Sequence, residues 1–317
     1  MIGQILIALA AGCASAAMFA SITSGALISL VLLYLSPLPL MVAAIGWSPF
    51  TAAIGGALAA ITLGAAFGIG DLIAYAIAVA LPACWLGHLC LLGRPVTGGH
   101  GAPATVEWYP VGRVLLWIAG LASLSTGAAL LALGTDAGTV NGTLRAFLLR
   151  VLATSEAGLG ADADRWVDAM VNLAPATAAI MATTTLTLNL WLAAKITGTS
   201  GQLSRPWPEL RATTLPPMTA VALCVTTAFC FSGGMPAMLA KILTSALVMV
   251  YALTGLAVLH TITLALKSRA FWLGSIYTLA VVFVWPLLAL AALGLADAVF
   301  GLRLRYLRSR PPPLPVP

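Results

Sequence analysis

Charged side chains are scarce in this sequence, at 8% of 317 residues, whereas hydrophobic residues make up 61%. Soluble globular proteins carry about a quarter charged residues, so a soluble fold is excluded. The apolar runs are rich in Leu and Ala and mostly exceed the about ten residues of a barrel strand, and they lack its alternating pattern. We therefore predict an all-α, polytopic bundle of membrane-spanning helices.

Catalytic signatures are missing as well. The sequence has no Walker A loop, no HExxH zinc motif and no G-x-S-x-G nucleophile elbow, so ATPase and hydrolase chemistry have no support. No predicted span carries a pair of acidic residues, which is the arrangement an intramembrane enzyme would need. We expect neither an enzyme nor a bound cofactor.

The five cysteines lie inside apolar stretches, where a thiol acts as a small hydrophobic group, and they predict no disulfide framework. The stretch CWLGHLC places Cys84 and His88 on one helical face, but Cys90 lies well around the helix. Helix packing is therefore favoured over a metal site. The isolated His260 is interpreted in the same way, as a core or interface residue rather than a proton relay.

The net charge of +6 does not indicate nucleic-acid binding, because the basic residues stand singly at the ends of apolar runs. In that position they set orientation, since basic residues concentrate on the cytoplasmic side. One topology puts 11 of the 15 basic residues inside, with both termini cytoplasmic. The residues assigned to the inner side are Arg94, Arg113, Lys195, Arg205, Arg211, Lys267, Arg269, Arg303, Arg305, Arg308 and Arg310. Asp297 lies close to the last group and is expected to pair with one of its arginines.

This topology has eight crossings followed by a re-entrant hairpin over residues 271–300, broken at Pro286. Residues 2–35 make either two short helices or one broken span, which Pro37 and Pro39 end. The predicted crossings are 2–20, 26–35, 40–68, 71–92, 114–133, 166–196, 218–231 and 237–266. An amphipathic stretch at 143–153 is expected on the membrane surface. Residues 1–302 are predicted as a single transmembrane domain, and 303–317 as a basic, proline-rich cytoplasmic tail.

The span at 166–196 is the one around which the others are expected to pack. It is long enough to cross a bilayer, yet it carries Pro175, several threonines and Asn189. Thr185 and Asn189 stand four residues apart on one small, hydrogen-bonding face. Such a seam either packs against another helix or lines a cavity. If a ligand site exists, it is predicted beside Thr185 and Asn189, with Thr187 and Trp191 closing it from the adjacent face.

Three stretches carry a family resemblance: GWSPFTAAIGGALAA at 46–60, EWYPVGRVLLW at 107–117, and the ending LLALAALGLADAVFGLRLR. Their pattern and order resemble the YybS-like family of uncharacterised bacterial membrane proteins, domain of unknown function 2232. The early helices, with their glycines and prolines, are also similar to the substrate-binding S components of energy-coupling-factor vitamin transporters and to the rod-shape protein MreD. The resemblance implies a location in the bacterial inner membrane and no established activity.

Two functional hypotheses follow. The first is a small-molecule binding or transport subunit that resembles an S component. Transport would need an energising ATPase or coupling subunit as partner, because this chain has no nucleotide site. The alternative is a non-catalytic scaffold for cell-envelope or division machinery, with envelope proteins as partners. In both hypotheses the chain lies in the lipid bilayer and binds no nucleic acid.

Overall fold

A computed structural model describes residues 2–96, 105–154, 163–209, 213–283 and 285–308. Within these ranges the chain is almost entirely helical, as predicted. The helices are α1 (Ile2–Ala20), α2 (Leu27–Leu35), α3 (Pro37–Gly46), α4 (Pro49–Phe67), α5 (Ile69–Tyr75), α6 (Leu81–Leu91), α7 (Val111–Leu133), α8 (Ala137–Thr154), α9 (Ala163–Thr199), α10 (Met218–Phe229), α11 (Gly234–Ile262), α12 (Arg269–Val282), α13 (Trp285–Phe300) and α14 (Leu302–Arg308). Arg211, the loop at 97–104 and the tail beyond residue 308 lie outside the described residues.

Seven helical segments of the described chain are long and apolar enough to cross a membrane: Ile2–Ser24, Leu27–Gly46, Pro49–Phe67, Ile69–Leu91, Val111–Leu133, Asp164–Thr199 and Gly234–Ile262. The predicted all-α membrane bundle is thereby confirmed. The helix α10, at 12 residues, is about 18 Å long at about 1.5 Å per residue. By itself it is shorter than the roughly 30 Å hydrocarbon core of a bilayer.

The second span does not end at its prolines, which corrects the expected boundaries at residues 35 and 40. Helices α2 and α3 together form one candidate span, Leu27–Gly46, interrupted at Ser36. Pro37 stands at the start of α3, where a proline is tolerated because the first turn of a helix needs no N–H donor. The chain turns instead at Trp47. Ser48 then caps α4, its Oγ accepting a hydrogen bond from the Thr51 N–H at 3.1 Å.

The bundle has two ends, because successive spans run in opposite directions. We call one the Gly68 end; it carries the turns at Gly25, Gly68 and Gly134. The other, the Arg113 end, carries the start of α7. A short antiparallel pair of strands, β1 (Gly93–Val96) and β2 (Thr105–Trp108), stands there where the sequence predicted only a loop. Arg94 and Glu107 face each other across the pair and form an exposed ion pair at 2.7 Å.

Helix α9 contacts α2, α3, α6, α7, α8 and α11, but α11 is the more deeply buried span. The expectation that the other helices pack around residues 166–196 is therefore met only in part. The largest fully buried apolar side chains come from α3, α6, α7 and α11, and include Leu40, Met41, Ile45, Leu86, Ile118, Ile242 and Val250. Helix α8 lies beside the start of α9, where Arg145 forms ion pairs with Asp164 and Asp168. The Asp136 carboxylate caps α8 by accepting hydrogen bonds from the Thr139 hydroxyl and the Thr139 N–H. These bonds hold the pKa of the Asp136 carboxyl below its ordinary value.

The C-terminal helices α12 and α13 form a sharply bent pair, with 119° between their axes. The bend lies near Phe283, and Pro286 stands in the first turn of α13. Helix α13 packs closely along α11, whereas α12 contacts little beyond α13 and the turn before it. Asp297 pairs with Arg303 at 2.7 Å, and both side chains are 7% exposed. The expected pairing of Asp297 with a C-terminal arginine is thereby confirmed.

Candidate functional site

The second span is broken in its middle, between Leu35 and Pro37. Pro37 and Pro39 have no N–H group, so the carbonyls four residues before them lose their usual helical donors. One of these carbonyls, Leu33 O, is satisfied locally. It accepts hydrogen bonds from the Ser36 N–H at 3.2 Å and from the Ser36 hydroxyl at 2.7 Å.

Other helices donate hydrogen bonds to two neighbouring carbonyls, those of Tyr34 and Ser36. The Asn189 amide of α9 donates to Tyr34 O and to Thr185 O, each at 2.8 Å. The Ser15 hydroxyl of α1 donates to Ser36 O at 2.6 Å and lies 2.7 Å from the Tyr75 hydroxyl. Because a carbonyl can only accept, Ser15 uses its proton on Ser36 O, and Tyr75 must be the donor to Ser15.

These side chains form a buried polar network in the interior of the bundle. Ser15, Ser36 and Tyr75 are 0% exposed, and Asn189 is 1% exposed. Buried polar groups are stable only when they are hydrogen-bonded. The network therefore ties α1, α5 and α9 to the broken span. One acceptor is left over, because Asn189 Oδ1 is buried without a hydrogen-bond partner within the described chain.

The fourth span has an irregularity at a similar depth. Between α5 and α6 the chain makes one π-helical turn, Ala76–Ala80. Pro82 follows in the first turn of α6, and its missing N–H favours a local change of helical pitch. Single π turns widen a helix and occur frequently at functional sites. The sequence analysis did not predict this turn.

A cleft of about 590 Å³ lies between the broken span, the π turn and α9. This volume falls in the range of small-molecule pockets, about 300–1,000 Å³. It occupies the half of the bundle nearer the Gly68 end and reaches the middle of the spans. Its lining consists of apolar and hydroxyl-bearing residues: Phe19, Leu33, Tyr34, Ser36, Pro37, Ala78, Val79, Ser125, Ala174, Thr177, Ala178, Met181, Ala182, Thr185 and Leu186.

The threonines of α9 do not all behave alike. Thr183, Thr184 and Thr187 each donate to the carbonyl four residues earlier in the helix, at 2.7, 2.8 and 2.7 Å. The Thr185 hydroxyl makes no hydrogen bond to any described part of the chain, and Thr185 lines the cleft. Among these four threonines, Thr185 is therefore the one whose hydroxyl is available to bind a ligand in the cleft.

The structure brings together only part of the predicted ligand site. Thr185 lines the cleft, and Asn189 lies one helical turn further along α9 in the buried network. Thr187 is bonded within its own helix, and Trp191 is 44% exposed; neither lines the cleft. The sequence analysis missed Ser15, Ser36 and Tyr75. Their only signal was the pair of prolines in an apolar run, which indicates an irregular helix at that point.

Other candidate residues have local partners. The His88 ring stacks at a tilt on Trp85, with 5.9 Å between centroids. His260 Nε2 lies 2.8 Å from the Tyr277 hydroxyl, and Arg269 donates to His260 Nδ1 at 3.3 Å. Within the described ranges, no three His, Cys, Asp or Glu side chains come close enough to hold a metal ion. A second cavity, of about 370 Å³, lies at the Arg113 end beside the Arg94–Glu107 ion pair.

Comparison with known proteins identifies the family. A family model described as a predicted membrane protein (DUF2232) matches residues 112–298, from the start of α7 into α13. No curated protein and no solved structure is significantly similar to the chain. The matched region holds α9 and more than half of the sequence, while α1, α2 and the π turn precede it. The chain therefore belongs to the DUF2232 family of predicted membrane proteins.

Proposed function

We propose that this protein is a small-molecule binding subunit of the bacterial inner membrane and that its ligand occupies the cleft beside α9. The observation that carries the proposal is the cleft itself, with the unbonded Thr185 hydroxyl in its wall. A seam that served packing alone would bond its polar groups between helices and leave no space. Here the two polar residues differ. Asn189 donates a hydrogen bond to the second span, whereas the Thr185 hydroxyl, one helical turn away, has no partner in the described chain.

The cleft favours binding over catalysis. Its described lining offers hydroxyl groups but no His, Asp, Glu, Lys or Cys side chain. General acid–base catalysis needs a group that exchanges protons near neutral pH, and nucleophilic catalysis needs a base beside the nucleophile. A non-enzymatic role follows. If the subunit takes part in transport, as the resemblance of its early helices to S components would imply, the energy must come from a partner ATPase or coupling subunit.

Substitutions on α9 test the binding proposal. Thr185→Val is expected to leave the free energy of unfolding within about 0.5 kcal/mol of the parent, because the hydroxyl it removes has no protein partner. The same change is expected to abolish stabilisation by a ligand. The measurement is a thermal-shift screen of water-soluble metabolites and amphiphiles on detergent-purified protein. Thr187→Val is the matched control, since Thr187 lies on the same helix but bonds Thr183 O.

Asn189→Leu separates structure from binding. It removes both hydrogen bonds of the Asn189 amide and leaves Tyr34 O without that donor, so we expect a loss of about 1–3 kcal/mol of unfolding free energy. A compound that stabilises the parent and Thr187→Val, but not Thr185→Val, supports the proposal. If no compound in the screen stabilises the parent, the binding proposal is wrong and the scaffold hypothesis takes its place.

The scaffold hypothesis predicts different partners. Affinity purification in mild detergent distinguishes the two, because a transport subunit brings down an ATPase and coupling proteins. A scaffold brings down cytoskeletal or peptidoglycan-synthesis proteins instead.

The proposed orientation puts both termini and the Arg113 end in the cytoplasm. In a cysteine-free background, Lys267→Cys and Arg308→Cys are then expected to react with a membrane-impermeant maleimide from the same, cytoplasmic side. Thr135→Cys, at the Gly68 end, is expected to react from the opposite side. Labelling of Lys267→Cys and Arg308→Cys from opposite sides would mean that α12 and α13 together make one crossing.

A further inference from the structure

The chemistry of the cleft selects among ligands. No charged side chain is present in its described lining, so an ionised ligand would enter apolar surroundings without a counter-charge, which is strongly unfavourable. Most of the wall is hydrocarbon, contributed by Phe19, Leu33, Val79, Met181 and Leu186. The matching occupant is uncharged and mostly apolar.

The polar groups of the cleft are few, and three of its hydroxyls are unbonded, whereas those of Ser36 and Ser125 donate to nearby backbone carbonyls. Tyr34, Thr177 and Thr185 line it, and their hydroxyls have no hydrogen-bond partner in the portion of the chain that the structure describes. Tyr34 belongs to α2 and the two threonines to α9, so the hydroxyls come from two walls. Hydroxyls can donate or accept a hydrogen bond, and they therefore suit a hydroxyl, ester or amide group on an otherwise apolar molecule.

The helix α2 forms the outer edge of the cleft at the surface of the bundle. Ser29 is its only buried residue, whereas Leu27, Ile28 and Val31 are 86%, 63% and 51% exposed. On both sides of the cleft the edge residues are exposed, Tyr34 at 43% and Met181 at 44%. In a spanning segment such an apolar surface faces lipid. The cleft is therefore reached from the hydrocarbon phase.

Helix α2 lies between a glycine turn and the proline break. Gly25 before it has a φ of +67°, a left-handed conformation that favours glycine, and the proline break follows it. Hydrogen bonds hold its two ends: the Ser24 and Ser29 hydroxyls lie 2.6 Å apart, and Asn189 bonds Tyr34 O. A short helix held at its ends and packed lightly along its length can move aside as a unit.

We infer that the cleft takes an uncharged amphiphile from the lipid phase, one polar group on an apolar chain, which enters past α2 and binds the hydroxyls of Tyr34, Thr177 and Thr185. This inference rests on the proposed function, because it names the ligand class and the entry route of the same cleft. It goes further in excluding charged and water-soluble metabolites as the ligand.

Photolabelling in lipid nanodiscs tests the inference. The probes are a photoactivatable diacylglycerol, which is uncharged, and a phosphatidic acid with the same photoactivatable chains. We expect diacylglycerol to label peptides with Leu33–Pro37 and Ala174–Leu186 above the level of a lipid-facing α13 peptide containing Leu288, which is 60% exposed. Phosphatidic acid is expected to label all of these peptides at the α13 level.

Two variants localise the label. Ala178 is exposed and lines the cleft, so Ala178→Phe fills the cleft without overpacking the core and is expected to reduce cleft labelling to the α13 level. Ala66, an exposed residue of α4 that does not line the cleft, provides the control Ala66→Phe, which is expected to change nothing.

Each other outcome overturns the inference in a distinguishable way. Equal cleft labelling by both probes removes the preference for an uncharged ligand. Diacylglycerol labelling at the α13 level, or labelling that Ala178→Phe does not reduce, removes the lipid-side entry. If a water-soluble metabolite instead stabilises the protein and Ala178→Phe abolishes that effect, the proposed function stands and this inference fails. Absence of both labelling and stabilisation overturns both.

Discussion

Asp297→Asn is expected to lower the free energy of unfolding by about 3–5 kcal/mol, because it leaves the buried Arg303 guanidinium without its counter-charge. Both side chains are 7% exposed. Asp297 accepts hydrogen bonds from Arg303 Nε at 2.7 Å and from the Arg303 N–H at 2.8 Å. Arg303 in turn donates to Thr213 O at 2.7 Å, so the pair also ties α13 and α14 to the segment before α10. The measurement is a denaturant titration of the purified protein in mild detergent.

A double variant controls for the charge itself. In Asp297→Leu with Arg303→Met, neither buried charge remains, and apolar replacement of a buried ion pair is often neutral or stabilising. We expect the double variant to recover most of the stability that Asp297→Asn loses. If the single variant is as stable as the parent, the ion pair does not hold the C-terminal helices in place.

Gly255→Ala is expected to lower the free energy of unfolding by about 3 kcal/mol, the upper end of the usual cost of overpacking. A Cβ added at Gly255 would lie 1.9 Å from Leu290 O, and one added at Gly294 would lie 2.1 Å from Tyr251 O. These atoms are backbone oxygens, which no side-chain rotation can move. Helices α11 and α13 would have to separate, and the small-residue contact that holds them in a membrane would be lost.

Gly120→Ala is the matched control. Gly120 also lies inside a predicted spanning helix, but a Cβ there would meet nothing within 4 Å. Alanine exceeds glycine in helix propensity by about 1 kcal/mol, so Gly120→Ala is expected to be neutral or slightly stabilising. Equal effects of the two substitutions would show that helix propensity, rather than the close approach of α11 and α13, decides the outcome.

The cleft and the polar network share one origin. Two prolines break the second span, and the break opens space beside α9 while exposing carbonyls inside the bundle. Ser15 and Asn189 donate to the carbonyls of Ser36 and Tyr34, and Tyr75 donates to Ser15, so polar groups beside the break are paired at membrane depth. The open space then remains available to a ligand, and Thr185 provides a free hydroxyl in its wall.

Several features were predictable because they depend on local composition. The scarcity of charge required a membrane protein, and the long apolar runs required helices. The proximity of Asp297 to a group of arginines predicted its ion pair. The spacing of Thr185 and Asn189 placed both on one face of α9. In the last two cases, the residues that predict the feature lie within one or two helical turns of each other in the sequence.

Other features depended on helices that are far apart in the sequence. The proline pair at 37 and 39 predicted a helix end, because a proline inside a helix removes a hydrogen bond. The span continues through them, and Ser15 and Asn189, 21 and 155 residues away from their acceptors, bond carbonyls beside the prolines from α1 and α9. The sequence also did not show that Asn189 is hydrogen-bonded to another helix while Thr185 lines the cleft, because this depends on which residue faces the second span.

By itself the sequence determined the class of the protein and the approximate position of most of its spans, since hydrophobic length and charge act locally. The tertiary structure alone decided where the second span ends, which polar side chains are bonded, and that a cleft remains beside Thr185. The physical reason is that an unpaired carbonyl in a membrane can be satisfied by any neighbouring donor, and only the packing of the helices determines which donor is near.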